Sequence, residues 1–202
     1  MRTVEPVTLD DGRVRLEPLG LQHLDGLKRA AADGELWKIR VTSVPEPADT
    51  RDYIERALQG FEEGHRLAFA VIDAKTGEVM GSSSYHDIVP AVERLEIGHT
   101  WYGKSRQGTH VNAAAKLLLM SHAFDVLGAK LVGWRTDNFN FASQRAIERL
   151  GARRDGVVRH HALRRDGTVR DTVMYSMTAG EWPEAKAELQ SRLAVSTNSG
   201  RR

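Results

Sequence analysis

From Glu96 to Asn112 the chain reads Glu-Ile-Gly-His-Thr-Trp-Tyr-Gly-Lys-Ser-Arg-Gln-Gly-Thr-His-Val-Asn. A strand pattern ends in a loop of glycines and bases, and the loop opens onto a helix pattern at Gly108-Thr109. The first N–H groups of a helix lack partners within it, and the macrodipole places its positive end there. Such a junction can seat an anion, a pyrophosphate for example. Arg106 adds a forked donor suited to phosphate oxygens. The same residues also read as a capped loop, with glycine for the turn, Thr109 as N-cap and Arg106 in solvent.

A second stretch, Thr136-Asp-Asn-Phe-Asn-Phe-Ala-Ser-Gln-Arg-Ala-Ile-Glu-Arg-Leu-Gly-Ala, starts another helix at Asn140 and ends it at Leu150-Gly151. Asn140 reads as a helix N-cap, with Ser143 an ordinary first-turn residue. It reads equally as an amide for the peptide-like groups of a ligand, with a hydroxyl one turn inside. The paired histidines raise a metal reading. His160 and His161 are adjacent on a strand and point to opposite faces, so they cannot easily share an ion. The pair His86 and His99 is discounted as well, and no metal is expected.

These groups must be positioned by the elements around them. A period-two strand spans 13–19, and a helix follows over 22–32 with Leu24, Leu27 and Ala31 on one face. Asp49 or Thr50 caps a second helix to about Glu63. Strands are predicted at 67–73, 79–85 and 92–102, then a long helix from Gly108-Thr109 to Leu127 closed by Gly128. A strand over 131–136 and the Asn140 helix come next. Strands 157–163 and 169–177 flank Arg165-Asp-Gly-Thr, a hairpin signal. A last helix begins at Glu181-Trp-Pro and runs through Leu193. That order predicts an α/β fold, a mixed sheet with helices on both faces.

The chain has 202 residues, with 29 Lys+Arg against 27 Asp+Glu, 8 His and no Cys. This length favours one domain, taken as 1–194, with 195–202 as a flexible tail. The absence of Cys excludes a disulfide framework, a Cys-ligated metal and a thiol nucleophile. No apolar run approaches the roughly 18 residues of a spanning helix, and the first residues lack a signal-peptide core. A soluble cytoplasmic protein without a membrane partner is expected. The net charge of +2 is too small for a whole-protein nucleic-acid binder. It conceals a dipole, however. Residues 153–170 hold six arginines against two aspartates, whereas 33–63 hold eight acids against four bases.

In their order and spacing the two stretches resemble the GNAT N-acetyltransferase superfamily, most closely its RimJ/RimL-like branch. Glu96-Ile97-Gly98 matches a Glu–apolar–Gly strand, the loop a pyrophosphate-binding turn, and Asn140, Ser143 and Leu150-Gly151-Ala152 a later helix and its end. Val111-Asn112 and Lys116 match the Val-Asn-x-x-x-Lys of that branch. The resemblance implies a mostly antiparallel twisted sheet, splayed at an acetyl-CoA site. It implies acetyl-CoA contacts from Arg106, Gln107, Gly108, Thr109, His110, Val111 and Asn140, with a backbone N–H near Thr100 or Trp101 polarising the thioester carbonyl. Glu96 would be the general base, directly or through a water, and Ser143 the general acid. With no Cys for an acetyl-enzyme, transfer would be direct, in a ternary complex. Two departures stand out. His110 replaces a small residue of the loop, and Ile147 falls where many relatives carry a proton-donating Tyr.

The acceptor would be an amine. The acidic 33–63 segment favours a cationic one: a peptide or ribosomal-protein N-terminus, a polyamine or an aminoglycoside-like amine. Trp37, Tyr85 and Asp87 are candidates for its pocket, with Trp37 also readable as a core or dimer contact, and relatives are often homodimers. A catalytically silent acyl-CoA-binding or interaction module is the alternative that the His110 and Ile147 departures support. RNA or ribosome binding through the basic hairpin would be steeply salt-dependent. The hairpin lacks interleaved aromatics, so nucleic acid is not expected as the main ligand.

Overall fold

Alternation in Val14-Arg15-Leu16 buries Val14 and Leu16 and leaves Arg15 between them half-buried, the signature of a strand with one face in the core. This strand, β2 (Val14–Pro18), lies in a single eight-stranded sheet in the computed structural model, which describes residues 1–199. The others are β1 (Leu9–Asp10), β3 (Arg66–Asp73), β4 (Val79–Val89), β5 (Arg94–Tyr102), β6 (Leu131–Asp137), β7 (Arg153–Leu163) and β8 (Val169–Thr178). The order across the sheet is β1-β2-β3-β4-β5-β6-β8-β7. Every neighbouring pair is antiparallel except β5–β6.

Helices α1 (Leu24–Ala32) and α2 (Thr50–Glu62) cover one face, where Leu27, Ala31, Ile54 and Ala57 pack against Ala68, Ala70 and Ile72 of β3. The other face carries α3 (Val111–Ser121), α4 (Phe141–Glu148) and α5 (Trp182–Ser199), with Leu119, Ile147 and Leu189 against Phe69, Leu95 and Val132. Helices on both faces of a mostly antiparallel sheet match the fold the sequence implied. The helix expected to run unbroken to Leu127 widens instead into a π-turn over His122–Val126. The last helix runs past Leu193 to Ser199, and the end of the tail, 200–202, lies outside the described residues.

One feature of the sheet positions everything that follows. β5 and β6 pair only across Arg94–Glu96 and Leu131–Gly133, although β5 continues to Tyr102 and β6 to Asp137. A register shift between Ser82 and Ser84 on β4, with His99 of β5 at φ 50°, bends β5 at this point. From the far face, buried Lys116 of α3 donates to Thr100 Oγ1 (2.6 Å) and Ser83 Oγ (3.0 Å), pinning the bend. The two strands therefore part and leave a wedge between their unpaired edges.

Candidate active site

Where the strands begin to part, Glu96 is 1% exposed. Its carboxylate is held in a fork: Arg135 Nε donates to Oε2 (2.6 Å) and Nη2 to Oε1 (2.7 Å). Arg135 also donates to Asp87 Oδ2 (2.9 Å), which accepts from Arg94 as well (2.6 Å). Hydrogen bonding to Glu96 raises the Arg135 pKa further. His86 Nε2 lies 3.8 Å from Glu96 Oε2. Burial, then the neighbouring Arg135, pulls the His86 pKa down to about 4, so its imidazole is neutral at pH 7. Two glycines make this cluster possible. A Cβ on Gly98 would sit 2.2 Å from His86 Nε2, and one on Gly133 would sit 2.9 Å from Glu96 Cγ. The Gly of the Glu-Ile-Gly motif is thus the space in which the His86 ring lies.

At the far end of β5 the loop turns through Gly108 at φ +72°, a conformation that favours glycine, with open space around it. Thr109 Oγ1 accepts from the Val111 N–H, and His110 occupies the N-cap position. The exposed N–H groups of Gly108, Thr109 and His110 have no acceptor among the described residues. They form a set of donors at the N-terminus of α3, the arrangement that seats anions. The side chains expected to help are committed elsewhere. Arg106 bonds Glu78 and lies 3.7 Å from Asp73, while the Gln107 amide donates to the Tyr102 carbonyl (3.1 Å). Asp33 fastens the loop through the Ser105 N–H (2.8 Å) and hydroxyl (2.7 Å).

Across the wedge, Asn140 caps α4: its Oδ1 accepts from the Ser143 N–H (3.1 Å). Its Nδ2 donates to the Val41 carbonyl (3.3 Å), so both ends of the amide bond protein groups. The Ser143 side chain is half-buried, and its hydroxyl has no partner among the described residues. Ile147 is buried in the core. The segment between α1 and α2 reaches over to the β7–β8 turn, where Arg165 bonds the Trp37 and Val44 carbonyls and Arg40 pairs with Asp166 at 3.0 Å.

A cavity of about 320 Å³ opens on the α2 face, lined by Arg56, His65, Arg66, His86, Asp87, His99 and Arg135. Of the three residues expected to line an acceptor pocket, only Asp87 does so. Tyr85 points to the opposite face, fully buried, and donates to the Leu119 carbonyl (2.6 Å). One residue of register separates it from His86, and successive strand residues face opposite ways. Trp37 sits half-buried against the β7–β8 turn. The acidic rim expected from residues 33–63 is absent from the cavity, because Arg56 is the one residue of that segment lining it. Glu35, Glu55 and Glu63 pair with Lys38, Arg51 and His65 instead. Sequence reading missed Arg66, Arg94 and Arg135, and met His86 only in a discounted metal pair; they carry no motif spacing, and only the sheet register aligns them. No group of three or more His, Asp and Glu placed to hold a metal occurs among the described residues.

A sheet parted between two parallel strands, with helix N-terminal donors on one side and a polar cavity on the other, is the splayed arrangement that the GNAT resemblance implies. A family comparison agrees: the acetyltransferase (GNAT) domain matches residues 13–153, and the chain belongs to that family. It is an acetyl-CoA-dependent acyltransferase. The chain is similar to a GCN5-related N-acetyltransferase from Brucella melitensis, 33% identical with a TM-score of 0.84, covering 95% of this chain and 87% of that one. It shares its fold with Mycobacterium smegmatis RimJ, solved in complex with CoA-disulfide, at 20% identity and a TM-score of 0.79, covering 95% of this chain and 97% of that one. The N-acetyltransferase YoaA of Bacillus subtilis (strain 168), itself uncharacterized, is 26% identical over 118 residues, which is 58% of this chain and 65% of that protein.

Proposed function

We propose that the protein transfers an acetyl group from acetyl-CoA to a primary amine by direct attack in a ternary complex. The observation that carries this is the parting of β5 from β6 beyond Glu96 and Gly133, with unpaired N–H groups at one end and a cavity at the other. The residues present fit the donor. The N–H groups of Gly108, Thr109 and His110 suit a pyrophosphate, and the unpaired strand edges suit an amide-bearing arm. Tyr102 Oη and Trp134 Nε1, on the two strands that part, are buried with no partner of their own. On this reading Val111 and Asn140 would flank the path, and the β5 main chain at Thr100 and Trp101 would meet its inner end.

Acetyl-CoA supplies the thioester: the amine nitrogen forms the new C–N bond as C–S breaks, one proton leaves the amine and one reaches the thiolate. An ammonium must lose a proton before it attacks. Because Arg135 occupies both Glu96 oxygens, Glu96 takes that proton through a water beside His86 rather than by direct contact. Ser143, with its hydroxyl unpartnered among the described residues, donates to the departing sulfur and is reprotonated by the second proton that nitrogen releases as the amide forms. No Cys is present to carry an acetyl-enzyme. Likeness to RimJ/RimL proteins alone would favour a peptide N-terminus as acceptor, a choice on which the charge of the cavity also bears, and the exposed Val157, Val158 and Leu163 of edge strand β7 suit a homodimer contact.

Purified protein is expected to release free CoA from acetyl-CoA in the presence of an amine panel. Glu96→Gln should lower turnover at least tenfold, on the order expected for loss of acid–base assistance, while acetyl-CoA still binds. Unchanged turnover would remove Glu96 from this role. Stabilisation by CoA with no turnover of any amine would favour the silent acyl-CoA-binding module instead.

A further inference from the structure

Arg66 is 8% exposed, yet it has no carboxylate partner among the described residues. Its Nε donates to Ser84 Oγ (3.1 Å), its Nη2 to Tyr53 Oη (3.4 Å), and its guanidinium lies 5.5 Å from the Tyr53 ring centre. Hydroxyls and a ring face orient the cation without neutralising it. A buried guanidinium without a counter-charge is costly, and proteins retain one where something else supplies the charge. Arg66 lines the cavity described above, and so does Arg56, which also lacks an acidic partner among the described residues. The two carboxylates nearby are already satisfied: Glu96 by Arg135, and Asp87 by Arg94 and Arg135. The cavity wall thus presents a surplus of positive charge, and neutral His86 adds none to it.

We infer that this cavity receives the anionic end of the acceptor, so that the acetylated amine belongs to a small molecule carrying a carboxylate or phosphate, seated on Arg66 and Arg56. The inference rests on the acetyltransferase reading for the chemistry, but the charge arrangement stands apart from it. The amine end lies toward Glu96 and the wedge, and the anion toward α2. The cavity volume, about 320 Å³, admits a small metabolite-sized acceptor. Donor phosphates have their own seat on the Gly108–His110 N–H groups at the other end of β5, so the two anions do not compete.

The test compares butylamine, putrescine, γ-aminobutyrate and aminopropylphosphonate as acceptors, by CoA release, with calorimetric binding of γ-aminobutyrate measured alongside. A short peptide with an acidic second residue is set against its lysine counterpart: neither should match γ-aminobutyrate in kcat/KM, and an acidic peptide that exceeds it would overturn the small-molecule acceptor. The anionic amines should exceed butylamine and putrescine in kcat/KM by at least about tenfold, the scale of one charge-assisted hydrogen bond. Arg66→Met and Arg56→Ala should abolish that preference without changing the KM for acetyl-CoA, and Arg66→Lys should restore part of it. Arg56 is on the surface, so its variant reads the site even if Arg66→Met fails to fold. Equal use of all four amines, or a preference for putrescine, overturns the inference and leaves the acetyltransferase reading intact. Arg66-dependent binding of γ-aminobutyrate without turnover supports the anion site and removes acetyl transfer. Turnover of butylamine or putrescine, which carry no anionic group, with no γ-aminobutyrate binding, or neither activity nor binding, overturns it.

Discussion

At Glu96 a single side chain holds Arg135 in a buried fork and, in the mechanism proposed above, also accepts a proton during turnover. The fork dominates the resting geometry, since both oxygens are taken at 2.6 and 2.7 Å. His86 is the group best placed to link Glu96 to the cavity, and Gly98 is what admits its ring. Gly98→Ala should therefore displace His86 and cut kcat while leaving the KM for acetyl-CoA unchanged, as steady-state kinetics will show. Ser143→Ala removes the hydroxyl but not the N–H that Asn140 caps. A loss of about 10²-fold in kcat with unchanged thermal stability is expected if Ser143 is the acid. His86 also bears on stability. Its folded pKa, about 4, lies below its unfolded value near 6.5, so below pH 6.5 the unfolded chain binds the extra proton. Its contribution is present at neutral pH and is lost as pH falls from about 6.5 toward 4. Denaturant titrations of wild type and His86→Gln should diverge across that window.

The element that shapes the site is β5, and its bend is maintained from the far side by α3 through Lys116. Burial lowers the Lys116 pKa to about 7, against an ordinary value near 10.4. Between those values the unfolded lysine is protonated and the folded one increasingly neutral, so the unfolded state binds more protons. Stability should then rise with pH from about 7 toward 10, and that rise should disappear in Lys116→Met. A chemical-denaturation series in buffers across that range measures it. Lys116 was legible in the sequence only as a branch marker; its contact with Thr100 and Ser83 depends on α3 crossing β4 and β5. The loop before α3 shows the same division. Gly108 and the helix start were readable from turn and cap chemistry, but the pairing of Arg106 with Glu78 was not. Residues 28 apart in sequence meet there only because β4 runs beside β5.

Over the whole molecule, the uneven charge seen in the sequence proves to be used mostly for internal joints. Arg164, 8% exposed, donates to Asp137 (2.6 Å) and closes the β7–β8 turn onto the end of β6. Arg165 bonds carbonyls of the α1–α2 segment, and Arg153 pairs with Glu181. These arginines tie elements together, so steep salt-dependent RNA binding is not expected from this hairpin. A filter-binding series from low to high salt checks it, and a strong linear salt slope would reverse the conclusion. Asp137→Asn should lower the melting temperature by several degrees, because it strands Arg164 in a buried setting.

What the sequence determined by itself was local: strand alternation, helix starts and stops, the Gly108 turn, the Asn140 cap and the absence of a cysteine nucleophile. Each depends on residues a few positions apart, where backbone propensity and hydrogen bonding act directly. From those, the sheet with helices on both faces and the two chemical stretches followed. What tertiary structure decided was the sign and ownership of charge at the site. Glu35, Glu55 and Glu63 of the acidic segment pair with nearby bases rather than line the cavity, Tyr85 and His86 divide between faces, and Arg66 and Arg135 from separate strands converge on one cavity. Electrostatics there depends on distance through space and on burial, and sheet register, which linear spacing does not encode, sets both.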